Sequence, residues 1–218
     1  SLGAHFWFWI ESLKHTSVII SVVLVTLHPI FVGFGAYFFL NEPLSRSLIF
    51  GALIALVGAI IMTGMDFNLQ TSLYGNLFAL IGGIFFSIFL VVGRAMRKQF
   101  STFRYSAIVY GLATIFVGFA FIFSDVEFVA VPSSAYWALI GIVVIPQFIG
   151  HTAINWTLGI FPAALVGLAI VCEPIGASVL AVILLGEFPT FFEIIGAITI
   201  ICGVYIAISN RVVVSDNK

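Results

Sequence analysis

The chain has 218 residues, of which 62% are hydrophobic and 8% are charged, and its formal net charge is −1. Soluble domains carry about 25% charged residues, so 8 basic and 9 acidic side chains cannot cover a water-exposed surface of this size. The near-neutral charge, with no basic patch, also argues against a nucleic-acid-binding protein.

In chain order, a short apolar and aromatic stretch, residues 1–12, is followed by seven apolar stretches long enough to cross a bilayer. A membrane-spanning helix needs about 20 residues. The connections are short and carry turn residues, as in Asn41-Glu42-Pro43. The composition predicts an all-α polytopic membrane protein. The predicted spans are residues 17–40, 48–65, 73–93, 105–123, 135–157, 162–185 and 190–209.

The sequence repeats internally. With a shift of 145 positions, residues 29–61 align with residues 174–206 without a gap, and ten of the 33 aligned pairs are identical. Equivalent helices are five apart, an odd number, so they cross the membrane in opposite senses. This predicts an inverted five-plus-five helix repeat, which is typical of secondary transporters. Seven of its helices are complete in this chain.

The same shift places residues 1–12 opposite residues 146–157, in the second half of a predicted span. We therefore expect residues 1–12 to be the end of a partial helix. We also expect about 70–75 further residues, with two helices and part of a third, to precede it in the full protein. Residues 1–65 are then the remainder of a first repeat, with the end of helix 3 and helices 4 and 5. Residues 73–209 are a second repeat with helices 6–10, and residues 210–218 form a tail.

Lysine and arginine are distributed unevenly between the two sides of the predicted spans. Only Lys14 lies on one side. Because cytoplasmic loops carry the excess of basic residues, loops 41–47 and 94–104 and the C-terminus are predicted to be cytoplasmic, in an inner or plasma membrane. The seven basic residues of that side are Arg46, Arg94, Arg97, Lys98, Arg104, Arg211 and Lys218.

The first candidate site residues lie at the middle of two spans. Glu173 is near the bilayer centre, where a charged carboxyl costs about 2.5–3.5 kcal/mol, so it should face a cavity or partner or stay protonated. Pro174 follows it, and Pro29 is its repeat equivalent. Prolines that break helices at equivalent positions of two repeats indicate a substrate site. The alternative is that each proline only kinks its helix for packing. His28, equivalent to Glu173, would either pair with Glu173 or bond a backbone carbonyl.

A second candidate set is a polar stripe. Gln147, His151 and Asn155 recur every four residues after Pro146, so on an α-helix they share one face. Such a stripe lines a water-filled path or binds neighbouring helices together.

Two further sets of residues repeat. Glu42 and Glu187 stand at helix ends, where they either organise the turn or belong to a gate network. Four glycines at a spacing of seven are predicted to let helices pack closely: Gly51, Gly58, Gly196 and Gly203.

No nucleotide-binding, metalloprotease or serine-hydrolase motif occurs in the sequence. Asp and Glu do not cluster at metal-ligand spacing, so we expect no cofactor, no metal and no enzymatic activity.

Three segments carry a resemblance to a known family: Ser17 to Glu42, Gly150 to Trp156, and Cys172 to Ala177 with Leu185-Gly186-Glu187. In order and duplication they resemble the EamA-type transporters of the drug/metabolite transporter superfamily. The resemblance implies ten helices in an inverted repeat, cytoplasmic termini and transport of small metabolites, often outward. The chain departs from the family pattern at its start, where two helices and much of a third are not present.

The sequence thus predicts a secondary transporter that moves a small organic metabolite, such as an amino acid or drug-like solute, by alternating access. Its partners would be that solute, the lipid bilayer and, as a candidate coupling ion, protons. The alternative is a membrane interaction or assembly protein whose polar residues only hold helices together. Oligomeric state, direction of transport and substrate identity stay open at this level.

Overall fold

The computed structural model describes residues 1–62, 72–122 and 132–215, and every regular element within these ranges is helical. Six helical stretches have the length and hydropathy of membrane spans, and a shorter apolar helix, Arg46–Met62, is a seventh. The protein is an all-α polytopic membrane protein. Its elements are α1 Leu2–Ser12, α2 Val18–Thr26, α3 His28–Leu40, α4 Arg46–Met62, α5 Leu73–Met96, α6 Thr102–Ile122, α7 Ser133–Ile142, a π-helical segment Val143–Gly150, α8 His151–Leu158, α9 Ala163–Ile170, α10 Glu173–Leu185 and α11 Phe191–Ser215.

Most predicted spans agree with these bounds to within a few residues. The predicted ends at 63–65 and 123, and tail residues 216–218, lie outside the described residues.

Two predicted spans are divided into pairs of helices, α2–α3 and α9–α10, at the expected prolines. Pro29 and Pro174 each lie in the first turn of the second helix of the pair, where the missing N–H of proline is tolerated. Just before each proline, the backbone forms a tighter turn, with a hydrogen bond that spans three residues instead of four. The backbone N–H groups of Leu27 and Val171 donate to the carbonyls three residues earlier, at 3.3 and 3.1 Å.

The second helices of the two pairs have matching bounds. α3 and α10 begin and end 145 positions apart. Each ends in a residue with left-handed backbone conformation, Asn41 with φ 54° and Gly186 with φ 71°. The next residue, Glu42 or Glu187, then donates its N–H to the carbonyl six residues earlier. Both glutamates are therefore presented by the same type of helix C-terminus.

The predicted glycine surface is confirmed in the contact between α4 and α11. A Cβ atom on Gly51 would lie 2.4 Å from the Gly203 carbonyl oxygen, and one on Gly58 would lie 2.8 Å from that of Gly196. No side chain fits in this space, so the backbones touch directly.

The span predicted at 135–157 is continuous but changes helix type. The π-helical segment contains Pro146, which has no N–H for the carbonyl four residues earlier. Hydrogen bonding to the fifth residue widens the helix there. Because a π turn takes more residues than an α turn, Gln147 does not stand one α-helical turn before His151. The stripe expected from α-helical spacing is therefore not a single straight row.

Helix α5 packs against α1, α2 and α3. Its residues Phe86, Phe89 and Leu90 are at most 6% exposed. Gly82 and Gly83 permit close approach, since a Cβ on either would lie 3.2 or 3.1 Å from backbone atoms of α1 or α2. In contrast, α6 and α7 present large exposed apolar side chains, as expected of surfaces that face lipid.

Candidate solute site and arginine end

Three histidines from three helices surround Phe86 on α5. The ring centroid of Phe86 lies 4.7 Å from that of His5, 5.0 Å from His28 and 6.4 Å from His151. Phe6 and Phe89 extend the group, at 5.6 and 6.2 Å from His151. We call these six residues the histidine–aromatic cluster. Two of its members, His28 and His151, were predicted as site residues from the sequence.

His28 joins the two broken helix pairs. Its Nε2 lies 3.0 Å from the Gly167 carbonyl oxygen on α9, and its Nδ1 lies 3.2 Å from the carbonyl oxygen of Val25 on α2. The Ser87 hydroxyl donates to the backbone carbonyl of His28 at 3.1 Å. The structure therefore has the carbonyl-bonded histidine rather than the His28–Glu173 pair.

His5 holds α1 against α5. Its Nδ1 lies 2.9 Å from the Gly82 carbonyl oxygen, and its ring stacks on Trp9 with centroids 5.8 Å apart. The sequence marked His5 only as the rough repeat counterpart of the polar stripe. The phenylalanines of the cluster were not recognised, because one Phe among 24 carries no sequence signal.

Polar atoms without partners lie in and beside this cluster. His151 Nε2, Trp9 Nε1 and Asn155 Oδ1 are buried and have no hydrogen-bond partner within the described part of the chain. The other polar atoms of two of them are used: His151 Nδ1 lies 3.2 Å from the Pro146 carbonyl oxygen, and Asn155 Nδ2 donates to Ser106 at 2.9 Å. Buried polar atoms in native proteins are nearly always satisfied, by protein, water or ligand.

The remaining predicted site residues stand apart. Among the residues that the structure describes, no hydrogen bond, ion pair or ring contact joins Gln147 or Glu173 to the cluster. Gln147 is half-buried in the π-helical segment, and Glu173 is exposed at the first residue of α10.

A groove of about 230 Å³ lies between α2, α4, α10 and α11. Thr26, Met62, Pro174, Ser178 and Glu193 are among its lining residues. Met62 is the last residue of α4, which begins at Arg46, and Glu193 is in the first turn of α11. The groove therefore lies in the half of the bundle away from Arg46.

Charged residues are concentrated at what we call the arginine end, the end of the bundle with Arg46, Arg94, Arg97 and Arg104. There Arg94 Nε donates to Glu42 Oε1 at 2.7 Å, and Arg94 Nη1 donates to the Leu158 carbonyl at 3.0 Å. Arg97 Nε donates to the Asn155 carbonyl at 2.8 Å. Both arginines therefore satisfy carbonyls in the last turn of α8, which an isolated helix leaves without partners.

Comparison with protein families gives one match that covers nearly all of the chain. The model of the EamA-like transporter family matches residues 1–64 and 73–209.

Two relatives agree with that match. The "Uncharacterized transporter YoaV" of Bacillus subtilis (strain 168) is 27% identical over 84% of this chain and 64% of its own length. An "Uncharacterized transporter" of Archaeoglobus fulgidus is 21% identical over 92% of this chain and 70% of its own. The chain thus spans slightly less than two thirds of the first relative and slightly more than two thirds of the second.

A solved crystal structure has the same fold. It matches 97% of this chain and 75% of its own with a TM-score of 0.79 at 19% sequence identity.

Proposed function

The chain belongs to the EamA-like transporter family, and from that membership we propose that the full protein moves a small organic metabolite across a membrane by alternating access. The family and the transporter names of the relatives support a membrane transporter rather than an enzyme. The solute class and the alternating-access mechanism go beyond what the family and these names support.

The observation that carries the site is the unpartnered Nε2 of His151 within the histidine–aromatic cluster. The cluster adjoins the break between α2 and α3, and His28 links that break to α9. Broken helices at equivalent positions of two repeats are where secondary transporters bind their solutes. A solute polar group would take the place opposite His151 Nε2, with an apolar or aromatic part against Phe6 and Phe86.

This chemistry suits an amino acid with an apolar side chain or a drug-like solute. Aromatic rings offer flat apolar surfaces and attract cations to their faces, while imidazole nitrogens donate or accept one hydrogen bond each. Glu173, Asn155 and Gln147 would contact the solute in other states of the transport cycle. Protons are a candidate coupling ion, because carboxyl and imidazole groups can change protonation inside a membrane.

For the architecture we propose the inverted repeat. Residues 1–65 belong to the first half and residues 73–209 to the second. The matching bounds of α3 and α10 support this assignment. The contacts between α4 and α11 obey the same shift of 145 positions. Gly51 of α4 contacts Ala207 of α11, and the equivalent residues, Gly196 of α11 and Met62 of α4, also contact each other. The arginine end and the C-terminus would be cytoplasmic in the cell membrane, by the excess of basic residues there.

The test is solute uptake by the purified full-length protein in proteoliposomes, screened with amino acids and hydrophobic cations. We expect His151→Ala to lower uptake about tenfold or more, because a lost hydrogen bond to a charged solute group is worth about 1.5–3 kcal/mol. Glu173→Gln should reduce uptake or change its dependence on pH.

Phe39→Leu on the exposed face of α3 is the matched control and should transport normally. Unchanged uptake and pH dependence in both His151→Ala and Glu173→Gln would contradict the site. If no solute is transported while Asn155→Leu lowers stability, the alternative of an assembly protein gains, since Asn155 joins α8 to Ser106 on α6.

A further inference from the structure

Glu42 binds two other helices at the arginine end. Its Oε1 accepts from Arg94 Nε at 2.7 Å, and its Oε2 accepts from the backbone N–H of Ala163 at 2.9 Å. Arg94 also bonds the Leu158 carbonyl at 3.0 Å. The ends of α3, α5 and α8 and the start of α9 are thereby tied together. We call this set of contacts the Glu42 latch.

The Glu42 latch is partly buried, so its ion pair contributes more to stability than an exposed pair would. The side chains of Glu42 and Arg94 are 14% and 16% exposed. Exposed ion pairs contribute little, but removing one member of a shielded, hydrogen-bonded pair leaves the other charge without a partner. The carboxylate also meets the positive N-terminal end of α9, an arrangement that stabilises both.

Glu187 is the repeat equivalent of Glu42, at the opposite end of the bundle. The same helix C-terminus presents it, yet its side chain is exposed and has no hydrogen bond or ion pair to any described residue. The equivalent of Ala163 is Val18, the first residue of α2, 63% exposed. The Val18 N–H has no partner among the described residues either. The donor of a second latch, the Val18 N–H, and its acceptor, the Glu187 carboxylate, are therefore both present but do not contact each other.

The groove lies on that same side. Ser178, one turn into α10 from Pro174, lines it together with Val22 of α2. One end of the bundle is therefore latched, while the other combines an unlatched glutamate with an open groove.

From these contacts we propose that Glu42 and Glu187 are alternating latches that decide which end of the transporter is open. In the state described, Glu42 holds α9 and the arginine end is closed. In the opposite state, Glu187 accepts a hydrogen bond from the N-terminus of α2, as Glu42 does from the N-terminus of α9, and the Glu42 latch is released. This inference rests on the proposed transport function and adds the residues that control access.

The experiment measures thiol labelling of purified full-length protein in detergent, where both ends meet a water-soluble maleimide. The background carries Cys172→Ala and Cys202→Ala, together with replacement of any cysteine of the full-length protein outside this chain. One reporter is Val166→Cys, one turn into α9 and 5% exposed in the latched state. The other is Ser178→Cys, in the groove.

We expect Glu42→Gln to raise the labelling rate of Val166→Cys about tenfold, the factor that corresponds to about 1.4 kcal/mol, without raising that of Ser178→Cys. Arg94→Met should act in the same direction. Adding Glu187→Gln to Glu42→Gln should return Val166→Cys labelling toward the parent rate, because the opposite state then loses its own latch.

Glu193→Gln is the matched control, a carboxylate at the same end as Glu187 that caps its own helix by bonding the Thr190 N–H at 2.6 Å. It should leave Val166→Cys labelling unchanged. Three results would overturn the proposal: no rise in Glu42→Gln and Arg94→Met, an equal rise at both reporters, or an equal rise in Glu193→Gln. A rise that persists in full when Glu187→Gln is added would refute the role of Glu187.

Labelling requires no solute, so the two proposals fail separately. A protein with the expected labelling but no uptake contradicts the transport function. A protein that transports solute, but in which Glu42→Gln does not change the labelling rate of Val166→Cys, contradicts the latch.

Discussion

His28 is placed where it can compensate for the proline that follows it. Pro29 has no N–H for the Val25 carbonyl, and His28 Nδ1 lies 3.2 Å from that oxygen. A neutral imidazole has one N–H and donates to one carbonyl at a time, so His28 serves Val25 or Gly167. In the second repeat Glu173 holds the equivalent position before Pro174. A carboxyl group can donate there only when it is protonated.

At this scale we predict that His28→Phe lowers the thermal stability of the purified full-length protein. The substitution keeps a ring beside Phe86 but removes the one imidazole N–H that the Val25 or Gly167 carbonyl accepts. An orphaned buried group costs about 1–3 kcal/mol in general, and side-chain bonds between membrane helices average about 0.6 kcal/mol, so we expect about 1 kcal/mol.

The midpoint of unfolding in one detergent measures this loss. Phe39→Leu, on the same helix at an exposed position, should show little change. A midpoint for His28→Phe equal to that of the parent would mean that neither carbonyl depends on the imidazole.

At the scale of the element, the pair α4–α11 shows what glycine spacing can predict. The spacing of seven indicated a flat face on each helix, and the structure places Gly51 against Gly203 and Gly58 against Gly196. Spacing could not show that these faces meet each other, since any two glycine faces are compatible in sequence. Likewise the sequence shows Pro146 within a predicted span, but it does not show the π-helical segment around it. That segment depends on which N–H groups bond the carbonyls that the proline leaves free.

We predict that Gly51→Ala destabilises the protein by about 1–3 kcal/mol, the usual cost of overpacking, although alanine favours a helix by about 1 kcal/mol over glycine. The Cβ would meet the Gly203 backbone, which cannot move aside as a side chain does. Gly111→Ala and Gly118→Ala on α6 are matched controls, because nothing lies within 4 Å of a Cβ at either position. Urea or thermal unfolding in detergent compares the three, and equal stabilities would contradict close backbone packing.

For the whole molecule, the charge distribution and the latch concern the same end of the bundle. Basic residues concentrate where Glu42 and Arg94 meet, and the groove opens in the other half. If the arginine end is cytoplasmic, the proposed latch makes the described state open outward.

We therefore predict opposite accessibility for two exposed positions in intact cells. In a cysteine-free background, His15→Cys should react with an impermeant maleimide added outside, while Gln99→Cys should react only after the membrane is opened. Gln99 lies in the connection that follows α5, and His15 lies between α1 and α2. The reverse pattern would invert the proposed orientation and make the described state open inward.

The sequence by itself determined the class of protein, the approximate spans and the helix breaks, because these follow from local hydropathy and proline chemistry along the chain. The inverted repeat that the spacing predicts stays a proposal. The sequence also singled out His28 and His151. Only the tertiary structure decided which side chains meet. Phe86, one of 24 phenylalanines, becomes central because α5 packs against α1, α2 and α3. Glu42 and Glu187 are equivalent in sequence, yet within the described ranges the Glu42 side chain is bound to Arg94 and Ala163 and the Glu187 side chain has no such bond. Local sequence does not specify contacts between helices that are distant along the chain.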